Sequence, residues 1–158
     1  MRKLLSGGLA VFAGIVSLPS PRSLHAERTP PVNRCKVDMR LERLKAFFGR
    51  LDCPAKDYSV DFIAAAERYD LDWRLLPSIS YVESTGGKSA KNNNLFGWNC
   101  GRTGFASISE SIHEVARRLG RSPLYRFKNL DQLLATYNPT GDYAQKVKNV
   151  MQRIAPAQ

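Results

Sequence analysis

The stretch SISESIHEVARRLG, residues 107–120, holds a helix start, an apolar stripe and a stop signal in one short run. Ser107 with Glu110 three residues later forms a capping box, in which each side chain satisfies a backbone N–H that the first turn leaves unpaired. Ile108, Ile112, Val115 and Leu119 recur at helical spacing between polar residues, and Gly120 stands where a helix commonly ends. The same pattern extends in both directions. Asp72 is placed to cap a helix that carries Leu75, Leu76, Ile79 and Val82 inward as far as Glu83-Ser84, with Pro77 making its first turn irregular. Ser59 is placed to cap another helix, with Asp61 in its first turn and Phe62, Ile63, Ala66 and Tyr69 on one face. Val37, Leu41, Leu44, Phe48 and Leu51 mark a first amphipathic helix, which Asp52-Cys53-Pro54 ends. Downstream, a short helix spans about 130–137. Asp142 with Gln145 caps the last one, whose stripe is Tyr143, Val147, Val150 and Ile154.

No alternating strand pattern longer than four residues and no internal repeat interrupts this series. The expected fold class is therefore all-α, one small globular domain over residues 37–155 after a flexible lead-in at 27–36. Residues 85–106 are its longest stretch without helical periodicity, rich in Gly and Asn, and a loop of that length in a compact domain usually carries function.

Composition agrees with a folded domain. At 158 residues and 43% hydrophobic, the chain is long enough to bury roughly 70% of its unfolded surface without help from a metal. Two His and three Cys, with no Cys-x-x-Cys or His-x-x-x-His spacing, give no zinc pattern, and neither metal nor cofactor is expected. Arg2 and Lys3, the apolar run from Leu4 to Leu18 and the small residue Ala26 have the order of a secretory signal peptide over residues 1–26. The apolar run is shorter than the roughly 20 residues a membrane-spanning helix needs, and Pro19 and Pro21 end it. Cleavage after Ala26 would leave 21 basic against 14 acidic residues, a balance of +7, with His113 as the only histidine. A periplasmic or secreted location is expected, where one disulfide among Cys35, Cys53 and Cys100 is permitted and sequence does not choose the pair.

The chemistry concentrates around Glu83. A carboxyl held against apolar surface has its pKa raised, which suits it to donate a proton near neutral pH as a general acid. The competing reading is a surface Glu at a helix C-terminus. In the loop beyond it, Asn92, Asn93 and Asn94 offer amide groups of the kind that grip sugar hydroxyls, and Phe96 and Trp98 offer faces on which sugar rings stack. For Leu95 and Phe96 the alternative is to plug the core. Gly97 between the two aromatics lets backbone approach a ligand closely.

Taken in order, Glu83-Ser84-Thr85-Gly86-Gly87-Lys88-Ser89, then Asn93-Asn94-Leu95-Phe96-Gly97, then Phe105 with Ser107 to Ile112, and Tyr137 followed by Tyr143-Ala144-Gln145-Lys146-Val147 resemble one family. It is the glucosaminidase domain of bacterial cell-wall hydrolases in the lysozyme-like superfamily, and the resemblance spans about residues 58–152. It implies a lysozyme-like helical domain and an endo-β-N-acetylglucosaminidase-like glycoside hydrolase acting on the β-1,4 glycan strands of peptidoglycan, without metal or cofactor. Glu83 matches the catalytic acid, and Tyr137 matches a tyrosine that positions the N-acetyl group or water. Ser84, Asn93, Asn94, Phe96, Gly97 and Trp98 match substrate-binding positions, and Tyr143, a packing tyrosine of the last helix, is counted with them. Family members usually carry a longer insertion after the Leu-Phe-Gly segment that brings a second carboxylate over the cleft. Here residues 98–106 contain no Asp or Glu.

Three rival readings follow. The Glu-Ser pair is shared with lytic transglycosylases, which form an anhydro product, although their Gly-Leu-Met-Gln continuation is missing. A degenerate domain would bind glycan or serve wall assembly without chemistry. Either would act as a monomer whose positive balance favours anionic cell-wall polymers. Nucleic acid is not expected, because Lys and Arg are spread along the chain with only Arg117-Arg118 and Arg121 clustered.

Overall fold

A computed structural model describes residues 38–156. The signal peptide expected over residues 1–26, the lead-in expected over 27–36 with its Cys35, and Val37 lie outside the described residues. The described chain is all-α: α1 (Met39–Arg50), α2 (Ser59–Tyr69), α3 (Leu75–Ser84), α4 (Ile108–Arg121), α5 (Leu130–Tyr137) and α6 (Tyr143–Ile154), with a 3-10 turn at Pro54–Tyr58 before α2. No strand occurs among the described residues, only an isolated bridge between Lys91 and Asn94.

Helix α2 packs chiefly on α4, and α3 chiefly on α6. Between them lies an aromatic core. Phe48 stacks on Phe62 at 5.9 Å between ring centroids, and Phe62 meets Phe96 edge-on at 6.5 Å. Phe47, off the stripe expected for α1, is also buried, because α1 has neighbours on two sides and Phe47 turns toward Tyr81 of α3 while Phe48 turns toward α2.

Several expected caps are corrected. Ser59 is not an N-cap but the first residue of α2, because the 3-10 turn runs directly into the helix and the Ser59 hydroxyl donates back to the Lys56 carbonyl. Asp72 stands two residues before the α3 cap, Arg74, and closes the preceding turn by accepting from the Arg74 backbone N–H at 2.9 Å. The irregularity expected from Pro77 does not occur, because Pro77 falls in the first turn of α3, where its missing N–H has no intrahelical partner to lose, and the helix runs regularly from Leu75. Asp142 stands at the N-cap position of α6 as expected, but its side chain makes no cap bond, since its carboxylate pairs with Lys146 at 2.6 Å, while Gln145 turns to Asn149. Asn129 and Gln132 supply an unforeseen capping box for α5. At the start of α4, Ser107 Oγ accepts from Glu110 N, while Glu110 Oε2 reaches back to the Ala106 N–H.

Gly120 is not the stop of α4, which continues through it to Arg121. Its role is close approach. A Cβ there would stand 2.4 Å from the Tyr69 carbonyl oxygen, so α2 and α4 touch backbone to side at this point. The Ser109 hydroxyl donates to Asp61 further along the same interface, where His113 Nε2 lies 3.8 Å from the same carboxylate. Gly120→Ala is expected to push the pair apart and cost about 2 kcal/mol of stability, as overpacking does. Urea unfolding at an unchanged midpoint would show that the helices can slide instead.

Candidate functional site

Glu83 sits in the last turn of α3, which ends at Thr85 in the left-handed conformation. The chain then doubles back. Gly86, at φ +61, passes so close to Cys53 that a Cβ would stand 2.8 Å from the Cys53 Cβ, and its carbonyl accepts from Ala55 N. Ser84 is buried and its hydroxyl donates to the Leu95 carbonyl at 2.8 Å while accepting from Gly87 N, which ties the end of α3 to the middle of the loop.

The asparagines hold this loop in shape. Asn92 and Asn93 take left-handed backbone conformations, which Asn tolerates better than most residues, and the Asn93 amide donates to the Phe105 carbonyl. Asn94 is only 4% exposed and every arm of its amide is used. Its Oδ1 accepts from Phe96 N and Trp98 N, and its Nδ2 donates to the Trp98 and Thr103 carbonyls. The expectation that Asn94 and Ser84 grip substrate is therefore corrected: their polar atoms satisfy the loop's own backbone groups, which is the cheaper use in a loop with no ladder of its own. Asn93 is exposed, spends its Nδ2 on the Phe105 carbonyl and is not among the residues that line the cleft beside Glu83. Phe96 is likewise a core residue with no exposed surface, wedged against Phe62.

What remains is a cleft of about 780 Å³ lined by Glu83, Gly97 and Trp98 together with residues that arrive from other elements. Arg118 comes from α4, Tyr125 from the connection after it, and Tyr137, Asn138 and Pro139 from the end of α5. Glu83 is the one carboxylate on its wall among the described residues. Gly97, at φ +58, is drawn so tightly over Glu83 that a Cβ would lie 2.6 Å from Oε2. Trp98 meets the Tyr137 ring at 5.6 Å and the Tyr125 ring at 6.4 Å, making an aromatic wall.

Burial pushes the Glu83 carboxyl above its ordinary value, and the neighbouring Tyr143 hydroxyl offsets part of that rise. The Tyr143 hydroxyl is buried and makes no hydrogen bond of ordinary length, so its effect on Glu83 is that of a nearby dipole more than of a formed bond. Tyr143 stacks behind Tyr137 at 5.9 Å and stays out of the cleft lining, so its place in the substrate-binding set is corrected to a packing role. Burial also drives both phenols upward, so both remain neutral at physiological pH. The Tyr137 proton is committed to the Phe96 carbonyl at 2.6 Å. Its remaining lone pairs can accept from a ligand, but its hydroxyl does not donate to one while this bond holds.

Sequence reasoning missed Arg118, Tyr125, Asn138 and Pro139, which come from segments far apart in the chain. Only the Arg117-Arg118 pair was visible as a cluster. Cys53 is buried, Cys100 lies exposed on the cleft wall, and the two are not bonded to each other. No group of three or more metal-ligating side chains occurs among the described residues. No protein-family model, curated protein or solved structure matches the chain.

Proposed function

We propose that the protein is a cell-wall glycosidase whose Glu83 protonates the leaving oxygen of a β-1,4 bond in peptidoglycan glycan strands. The observation that carries this reading is a half-buried carboxyl with a raised pKa, the one carboxyl among the described residues on the wall of an aromatic-lined cleft, pressed under a glycine that leaves backbone beside it. Trp98 and the tyrosines give sugar rings apolar faces, and desolvation keeps the acid protonated at pH values where an ordinary glutamate has ionised. The sequence resemblance to glucosaminidase domains points to the same acid and the same substrate.

A two-carboxylate mechanism needs its second group roughly 5 to 9.5 Å across the bond, and the cleft wall offers none among the described residues. The positive charge developing at the anomeric carbon is then quenched by the substrate itself. Either the N-acetyl oxygen attacks and water later opens the ring, with Glu83 returning as base, or a sugar hydroxyl attacks and leaves an anhydro end. The single carboxylate favours this substrate-assisted pair over direct displacement, and the second route is the lytic transglycosylase reading.

Mass spectrometry of muropeptides after digestion of purified peptidoglycan tests the proposal and separates the routes, since an anhydro product is one water lighter than a hydrolysed one. Soluble fragments are expected. Their release should decline as pH rises past the folded pKa of Glu83, because the acid is active only while protonated. Pull-down on insoluble peptidoglycan with no soluble product at any pH would leave a binding module and remove the enzyme.

A further inference from the structure

We infer that Arg118 forms an anion subsite in the cleft, built to take a carboxylate carried by the glycan. This rests on the reading of the cleft as a glycan site and names which part of the substrate that cleft distinguishes.

The guanidinium is fixed from two directions before any ligand arrives. Its Nε donates to Glu114 Oε1 at 2.7 Å, and its carbon lies 5.2 Å from the centre of the Trp98 ring. Trp98 is in turn held by both backbone bonds to Asn94, so the stacking surface is itself anchored. The terminal nitrogens of Arg118 make no hydrogen bond with the described residues. A planar guanidinium clamped at Nε keeps its far edge free, the edge that binds a carboxylate through parallel hydrogen bonds.

Glu114 does not cancel this charge. Arg117 donates to the same carboxylate through Nε and Nη2, each at 2.8 Å, so two guanidinium groups share one carboxylate and the cluster keeps a net positive charge. These two arginines hold the Glu114 carboxyl down at about 2, so the clamp persists across the pH range in which Glu83 would work. Glu83, the remaining charged group on the cleft wall among the described residues, is neutral in its acid form. The cleft then presents a net positive charge beside aromatic faces. A neutral chitin-like oligosaccharide would leave that charge unused.

The carboxylate has two sources on a peptidoglycan strand: the lactyl group of a muramyl sugar stripped of peptide, or the stem peptide. Four probes separate them by titration calorimetry: the N-acetylglucosaminyl-N-acetylmuramyl disaccharide with a free lactyl carboxylate, its methyl amide, the same disaccharide bearing a stem dipeptide, and chitobiose. The wild type is expected to bind one of the charged probes about tenfold more tightly than the two neutral ones, the worth of one charge-assisted pair on a partly exposed wall. Arg118→Gln should erase that preference while leaving the neutral probes bound as before, and Arg118→Lys should restore only part of it. Equal preference in wild type and Arg118→Gln overturns the subsite and leaves the glycan reading standing. Failure of the wild type to bind any of the four overturns both.

Discussion

Glu83→Gln is expected to reduce muropeptide release by on the order of a thousandfold, about 4 kcal/mol of barrier, because the amide keeps the shape of the acid and has no proton to give. The same variant should be more thermally stable than wild type at neutral pH. Folding raises the Glu83 pKa, so between the unfolded and folded values the native state binds more protons than the unfolded one. Stability therefore falls as pH climbs through that window, and above it the full penalty of a half-buried carboxylate is present. Glutamine escapes the penalty. Melting temperatures of the two proteins should converge in acid and separate toward neutral pH, with the variant higher. A variant that melts lower than wild type at pH 7 would mean the carboxylate is structural, and full activity in the variant would end the acid assignment.

Gly97→Ala is the second large effect. A methyl group placed 2.6 Å from Oε2 must displace the Glu83 carboxyl, and a shift of about 1 Å in a catalytic group can cost on the order of a hundredfold in rate. The substitution also puts a side chain at φ +58, which adds about 1 kcal/mol of backbone strain. Gly101→Ala separates the two causes, because Gly101 has φ +73 and nothing within 4 Å of its missing Cβ. It should lose similar stability and keep its activity. Equal losses of muropeptide release in the two variants would show that strain, and not the carboxyl, accounts for the first.

The helices were legible because their stripes are local. Residues 130–137 form a helix with the expected bounds, and Val147, Val150 and Ile154 of α6 are buried as their spacing requires. Boundaries failed where one residue type serves two purposes. Gly120 carries the signature of a stop but exists to admit the Tyr69 carbonyl, and which of the two applies depends on a helix far away in the chain. Asp142 marks the start of α6 correctly, but a lysine one turn on takes its carboxylate and no side-chain cap bond forms. In the site, Glu83, Gly97 and Trp98 could be picked out because a loop rich in turn residues follows an apolar helix, whereas Tyr137 was marked only by the family resemblance. Asn94 was misjudged for the same reason that made it visible: a polar side chain in a loop without regular structure is consumed by that loop's own backbone. Arg118 stood out only as part of a basic pair and Tyr125 not at all, since it is the folded arrangement that brings both to one cleft wall.

The two Asn94 donors bear on how this molecule could change over generations. They grip the Trp98 and Thr103 carbonyls, the two feet of a short arm whose tip at Gly101 has open space where a side chain would stand. Lengthening such an arm costs only loop-closure entropy, about 0.6 kcal/mol for each doubling, and the feet stay where Asn94 holds them. The rim of the cleft can therefore acquire or shed residues, including new acids, while the seat of Glu83 is inherited unchanged.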